Sequence, residues 1–189
     1  MTYVLSNLHG CADQFSDLLL KINFTDNDVM YVLGDTLDIG EQPMELLCDL
    51  SMRYNVIHLL GDCELRAYRL LTALNDMLEG KTPDMEALSE MAAWMQDGGA
   101  KTIEGFKALD ADMREGVLEY LSDMSLYEEV EVKGKNYVLV HAGIADFDED
   151  AELDDYMPED FVSEPMDADR KYFSDATLIA GHTPPYEVA

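Results

Sequence analysis

The stretch Val29-Met30-Tyr31-Val32-Leu33-Gly34-Asp35-Thr36-Leu37-Asp38-Ile39-Gly40 governs the reading of the whole chain. Five apolar residues in a row suit a strand buried on both faces, and such strands belong to parallel sheets covered by helices. The run then stops at a glycine and passes into a loop holding two aspartates. Working outward, similar short runs occur at residues 2–6 and 55–60, and helical patterns at 13–22 and 43–52 separate the three. Strand, helix, strand, helix, strand predicts an α/β sheet with parallel crossovers. A third helical pattern follows at residues 64–78.

Residues 65–126 carry almost no strand signal. Apolar spacing at Leu70, Leu74, Met77 and Leu78, at Met91, Trp94 and Met95, and at Leu118, Tyr120 and Leu121 predicts a helical insert, broken at Gly98-Gly99. Strand chemistry returns at 127–132 and 137–140, on either side of Lys133-Gly134-Lys135-Asn136, which reads as a hairpin turn. Between residues 146 and 164, ten of nineteen positions are Asp or Glu, which reads as a solvated loop. A last strand at 176–180 runs into Gly181-His182-Thr183. The expectation is one domain over residues 1–189.

Forty acidic and 12 basic residues leave a formal charge of −28. That excess repels phosphate backbones and anionic lipid, so a nucleic-acid binder or a membrane-surface protein is excluded. The 48% hydrophobic content rejects disorder. The first residues resemble no secretory signal and no segment approaches a membrane span, so a cytoplasmic location is expected. Cys11, Cys48 and Cys63 form no CxxC pair and are read as reduced thiols.

The chain has four histidines. His9, His141 and His182 each lie just past a predicted strand, and the acids of 34–40 and of Gly61-Asp62-Cys63-Glu64 lie past two more. Carboxyl ends of strands are where open α/β folds assemble sites. Imidazoles mixed with carboxylates suit manganese, zinc or iron. His58, inside a strand, reads as a core histidine.

In this order the motifs resemble those of the calcineurin-like metallophosphoesterases, in particular the bacterial Ser/Thr protein phosphatase group. The matching blocks are Asn7-Leu8-His9, residues 34–40, residues 61–64, His141-Ala142-Gly143 and Gly181-His182-Thr183. The resemblance implies a four-layer αββα sandwich with a helical insert. It also implies two divalent ions sharing an aspartate and a water. By position, Asn7, His9 and Asp35 would surround the first ion, and Asp35, Asp62, His141 and His182 the second. The two catalytic positions fall on Asp38 and Cys63, the aspartate that orients a general acid and the acid itself.

Several residues depart from the family's pattern. Asn7 stands where it has aspartate, Asp62 where it has asparagine, Cys63 where it has the acid histidine, and Ile39 where it has a phosphate-binding arginine. Aligning residues 163–168 with the family's segment through Glu164, Asp167 and Tyr172-Phe173 puts Pro165 in place of a second arginine. Carboxylate is lost from the first site and gained at the second, so one well-held metal is expected rather than two. Acids around Cys63 would raise its thiol. Loss of the acid and both clamps points to a catalytically impaired, pseudophosphatase-like binding or regulatory module. The alternative is an active phosphoester hydrolase with a remodelled site. The resemblance also implies strands beyond Gly181-His182-Thr183, where only residues 184–189 remain, so a shortened second sheet is expected. The acidic loop, if it flanks the site, favours basic protein segments as partners.

Overall fold

A computed structural model describes residues 1–82 and 84–183. The expectation about strands after residue 183 falls outside the described residues. The first three runs form β1 (Thr2–Leu5), β2 (Val29–Val32) and β3 (Val56–His58), joined by α1 (Ala12–Lys21) and α2 (Pro43–Ser51). The strands are parallel in the order β1-β2-β3, with Tyr3 opposite Met30 and Tyr31 opposite Ile57. Two successive crossovers of one hand and direction, right-handed by the general rule, put both helices on the same face. There Phe15, Leu19, Leu46 and Leu50 are buried against Met30, Val32 and Val56. Pro43 opens α2, where its missing N–H has no intrahelical partner to lose.

The opposite face of this sheet meets a second one. After the helices α3 (Asp62–Leu78), α4 (Met85–Trp94), α5 (Ala100–Ala108) and α6 (Ala111–Ser122) come β4 (Tyr127–Val132), β5 (Lys135–Val140), a short α7 (Pro158–Val162) and β6 (Ala176–Ala180). The order is β4-β5-β6, antiparallel and then parallel. Leu33 and Leu59 pack on Leu139 between the sheets, with Tyr31, Ile57, Val130, Tyr137 and Ile179 around them. This is a mixed α/β fold of two facing sheets with helices outside.

The hairpin is tighter than the sequence suggests. Val132 pairs with Lys135, so only Lys133 and Gly134 turn the chain, at φ 53° and 75°. Both dihedrals have the sign a two-residue hairpin turn requires, and glycine takes the second without strain. Gly134→Ala is therefore expected to cost about 1 kcal/mol in urea unfolding. A neutral substitution would mean that this turn relaxes freely.

α3, α4, α5 and α6 share a core of Leu70, Leu71, Leu74, Trp94, Ile103, Phe106 and Leu121. Leu37 and Met44 join it, tying the helices to the second-aspartate loop. The break at Gly98-Gly99 is a kink between α4 and α5, with Gly98 at φ 105° and its carbonyl accepting from Ile39 N at 3.0 Å.

The acidic stretch departs from its expectation as a solvated loop. Phe147, Phe161, Val162 and Tyr172 are buried against Val138 and Val140 of β5. Short apolar anchors set among the acids let one side of the segment cover the sheet while the charges face water. α7 and its flanks thus form the outer layer over the second sheet.

Candidate metal centre

Five loops at strand ends meet on one side of the sandwich, and their backbones are bent to do so. Among the described residues, nine that are not glycine have positive φ, and six of them, Asn7, His9, Asp35, Asp38, Ile39 and His182, lie in these loops. Strain of this kind persists where the surroundings enforce it, which is common at functional sites. Gly34 adds a second constraint. A Cβ there would stand 2.6 Å from both Gly61 Cα and His141 Nδ1, so only glycine lets the ends of β2 and β3 approach beneath the imidazole.

Asp35, Asp62, His141 and His182 each bring one ligand atom into a group whose members all lie within 4.8 Å of one another. His141 Nε2 is 3.0 Å from Asp62 Oδ1, 3.1 Å from His182 Nδ1 and 3.6 Å from Asp35 Oδ1. The other ring nitrogen of His141 donates to Leu33 O at 2.6 Å, which turns Nε2 toward the group. Two imidazoles and two carboxylates, with a ring fixed from behind by a carbonyl, form a donor set that fits a divalent cation. These are the four residues placed around the second ion by sequence.

The charges in the group are strongly biased. Burial pushes the Asp35 carboxyl up to about 6, with Glu64 and Asp62 adding to the rise against the pull of His141. Burial also works against the Asp62 charge, but hydrogen bonding and attraction from His141 outweigh it and bring Asp62 down to about 2. His141 is held above its ordinary value; burial opposes this, and Asp62, Asp35 and the Leu33 carbonyl prevail.

The residues placed around the first ion are arranged differently. Asn7 Nδ2 donates to His182 O at 2.9 Å and its Oδ1 accepts from Ser6 Oγ, so both ends of the amide are engaged within the loops. His9 Nδ1 bonds Leu37 O at 3.1 Å, and its Nε2 stands 4.0 Å from Asp35 Oδ2. Asp35 therefore faces the four-residue group with one oxygen and His9 with the other.

The two positions read as catalytic, Asp38 and Cys63, are both buried. Asp38 is buried and its carboxylate accepts from Thr102 Oγ1 at 2.8 Å, Trp94 Nε1 at 2.7 Å and Arg66 Nη2 at 2.9 Å, all from the helical layer. Cys63 is buried beside Asp35, and burial, followed by the charges of Asp35, Glu64, Asp62 and Asp38, pushes its thiol far up. Burial and these charges disfavour a thiolate at Cys63. Ile39 is 67% exposed and offers no donor from its side chain. Gly143 N donates to Glu164 O at 2.6 Å, which seats the Glu164-Pro165 backbone against the His141 loop.

Sequence reading placed Glu64 only within the block at residues 61–64, without a role, and missed Arg66. Glu64 is fully buried and accepts from the backbone N–H groups of Asp35, Thr36, Leu37 and Gly61 and from Thr36 Oγ1, which pins the Asp35 loop to α3. Arg66 lies one helical turn beyond Asp62. The only sequence signal for it is this i, i+4 spacing on a predicted helix.

The calcineurin-like phosphoesterase pattern matches residues 2–189. The chain belongs to that family. Metallophosphoesterases of this family use divalent metals, in keeping with the cluster of Asp and His found here. The chain is 25% identical over 149 residues to the symmetrical bis(5'-nucleosyl)-tetraphosphatase of Wigglesworthia glossinidia brevipalpis, covering 71% of this chain and 53% of that protein. It is 27% identical over 145 residues to the enzyme of the same name from Acidovorax sp. strain JS42, covering 75% and 43%. A crystal structure of a candidate diadenosine tetraphosphatase superposes with a TM-score of 0.52 at 19% identity, covering 84% of this chain and 56% of that one. The chain thus spans about half the length of these relatives. No helix among the described residues is long and apolar enough to cross a membrane.

Proposed function

We propose that this phosphoesterase-family chain holds one divalent cation between Asp35, Asp62, His141 and His182 and binds a phosphate ester beside it, with hydrolysis strongly impaired. The convergence of those four side chains within 4.8 Å carries the reading. A bound cation would polarise a phosphoryl oxygen and acidify a water. The protein's own part is to aim His141 Nε2 through the Leu33 carbonyl and to fix Asp35 through Glu64. The impairment rests on Asn7, whose amide is engaged by its neighbours, on Cys63, whose thiolate is disfavoured, and on the lack of a donor at Ile39. A missing general acid alone costs about 10² to 10⁴ in rate.

The names of the similar proteins favour a nucleoside polyphosphate over a phosphoserine or phosphothreonine side chain as the phosphate ester. The acidic segment, with Glu159 in the wall of the cleft beside Asp62, favours a basic protein segment as partner. The second reading, an active hydrolase with a remodelled site, draws support from Arg66, which lines the same cleft as Asp62.

Hydrolysis of 4-nitrophenyl phosphate with manganese, zinc or magnesium separates the two readings. The purified chain is expected to stay within about tenfold of its His141→Ala variant, given the size of the lost acid contribution. Turnover far above that control would replace the impaired reading with the active one.

A further inference from the structure

We propose that Arg66 is the phosphate-contacting cation of this site, anchored by Asp38 and released for substrate by Asp97. The proposal rests on the reading that the site binds a phosphate ester, and it names the group that would meet it.

α3 begins at Asp62, so Arg66 follows at i+4 and rises from the same face of the helix. Both residues line a cleft of about 490 Å³, together with Leu65, Tyr68, Arg69 and Glu159. A phosphate drawn to a cation at Asp62 would therefore have the Arg66 side chain in the wall of the same cleft. Ile39 and Cys63, the positions at which the sequence resemblance expects a phosphate clamp and a proton donor, supply neither. Arg66 is the guanidinium that reaches the second aspartate of that loop.

The two ends of its fork are held very differently. Nη2 bonds Asp38 Oδ2 at 2.9 Å, and Asp38 is 1% exposed and gripped by Trp94 and Thr102. That end is fixed from within. Nη1 bonds Asp97 Oδ2 at 2.9 Å, but the Asp97 side chain is 72% exposed. An ion pair open to water on that side is weak and screened by salt. Asp97 also sits in the kink between α4 and α5, away from the regular helix. A phosphate oxygen can therefore take the place of Asp97 on Nη1 while Asp38 keeps its hold on Nη2. Arginine suits this exchange because its planar fork keeps its orientation when one partner changes. Its charge is permanent, so it can neutralise an oxygen but cannot hand over a proton. That matches a site that binds well and turns over poorly.

The test uses the full chain loaded with Mn²⁺ and inorganic pyrophosphate as the probe, with affinity read by calorimetry. Arg66→Ala is expected to weaken pyrophosphate binding by about tenfold or more, the range for a hydrogen bond to a charged group. Arg66→Lys, which keeps the charge and loses the fork, should fall between. Asp97→Ala should tighten binding about threefold or more, because it removes the competing carboxylate from an exposed position. A purely structural Arg66 would not produce that gain. Pyrophosphate affinity within twofold of wild type in Arg66→Ala, with Mn²⁺ uptake intact, overturns the role of Arg66 alone. So does Asp97→Ala that binds no tighter than wild type, and this variant decides the matter if Arg66→Ala does not fold. A wild-type chain that takes up Mn²⁺ but not pyrophosphate would instead overturn the phosphate-ester reading on which the role depends.

Discussion

Glu64→Gln is expected to lower stability by about 3 to 5 kcal/mol, measured by urea unfolding at pH 7.5. The carboxylate is fully buried, and its two oxygens divide five donors between them. Oε1 accepts from Thr36 N and Thr36 Oγ1 at 2.8 Å and from Leu37 N at 3.2 Å, while Oε2 accepts from Asp35 N at 2.8 Å and Gly61 N at 3.1 Å. Burial works against the charge, but His58 and the donors on Thr36 and Asp35 outweigh it and hold the carboxyl below its ordinary value. Glutamine keeps the shape and can satisfy one side. Its NH₂ must then face the N–H groups of either Asp35 and Gly61 or Thr36 and Leu37, leaving donors pointed at donors in a dry interior. Ordinary domains are stable by only about 5 to 15 kcal/mol, so such a loss is a large share of the total. The lowered carboxyl fixes the sign of the pH effect. Its stabilisation is present above the unfolded carboxylate range and is lost as pH falls through the folded value, so wild type and variant should converge in acid. A loss under about 1 kcal/mol at pH 7.5 would mean that water or backbone movement satisfies the stranded N–H groups.

This hub also marks the limit of what the sequence makes legible. The apolar run before Gly34 and its two neighbours declare a parallel sheet, because a strand buried on both faces leaves no alternation to misread. Histidines and aspartates just past strand ends point to a metal group, since strand direction decides which loops gather, while the choice of Asp35, Asp62, His141 and His182 among them comes by position from the family resemblance. Glu64 bears the same mark within residues 61–64, but its role as a hub depends on α3 starting where the β2 and β3 loops touch, a long-range fact. Arg66 is hidden for the same reason, because its partners Asp38 and Asp97, and the Trp94 and Thr102 that hold Asp38, come from loops and helices far apart in sequence. Asp38 looks like a catalytic orienter in the motif, yet its carboxylate is held by the helical layer. The acidic segment misleads by its average composition. Phe147, Phe161 and Val162 are a small fraction of it, but they decide where it packs.

Mn²⁺ is expected to raise the melting temperature of the chain at pH 7.5, and the rise should shrink steeply by pH 5. Burial pushes Asp35 up to about 6, so its carboxylate is ionised at the higher pH and only about a tenth ionised at the lower. Proton competition at this one ligand therefore weakens binding about tenfold. His141, held above its ordinary value chiefly by Asp62 against the effect of burial, holds a second proton that a cation must displace, so the total fall exceeds that of Asp35. In the metal-free chain the Asp35 contribution has the opposite slope. A carboxyl raised from 3.8 to about 6 contributes stability that is full below 3.8 and lost as pH climbs to 6. Acid therefore favours the metal-free fold at this residue while it opposes metal uptake. Asp35→Asn and His141→Ala should abolish the Mn²⁺ shift at every pH. His9→Ala should keep most of it, because the His9 ring stands 4.0 Å from Asp35 and outside the four-residue group. A shift that is equal at pH 7.5 and 5, or that survives His141→Ala, would place the cation elsewhere. A shift lost with His9 would make the first site, not the second, the one that holds the metal.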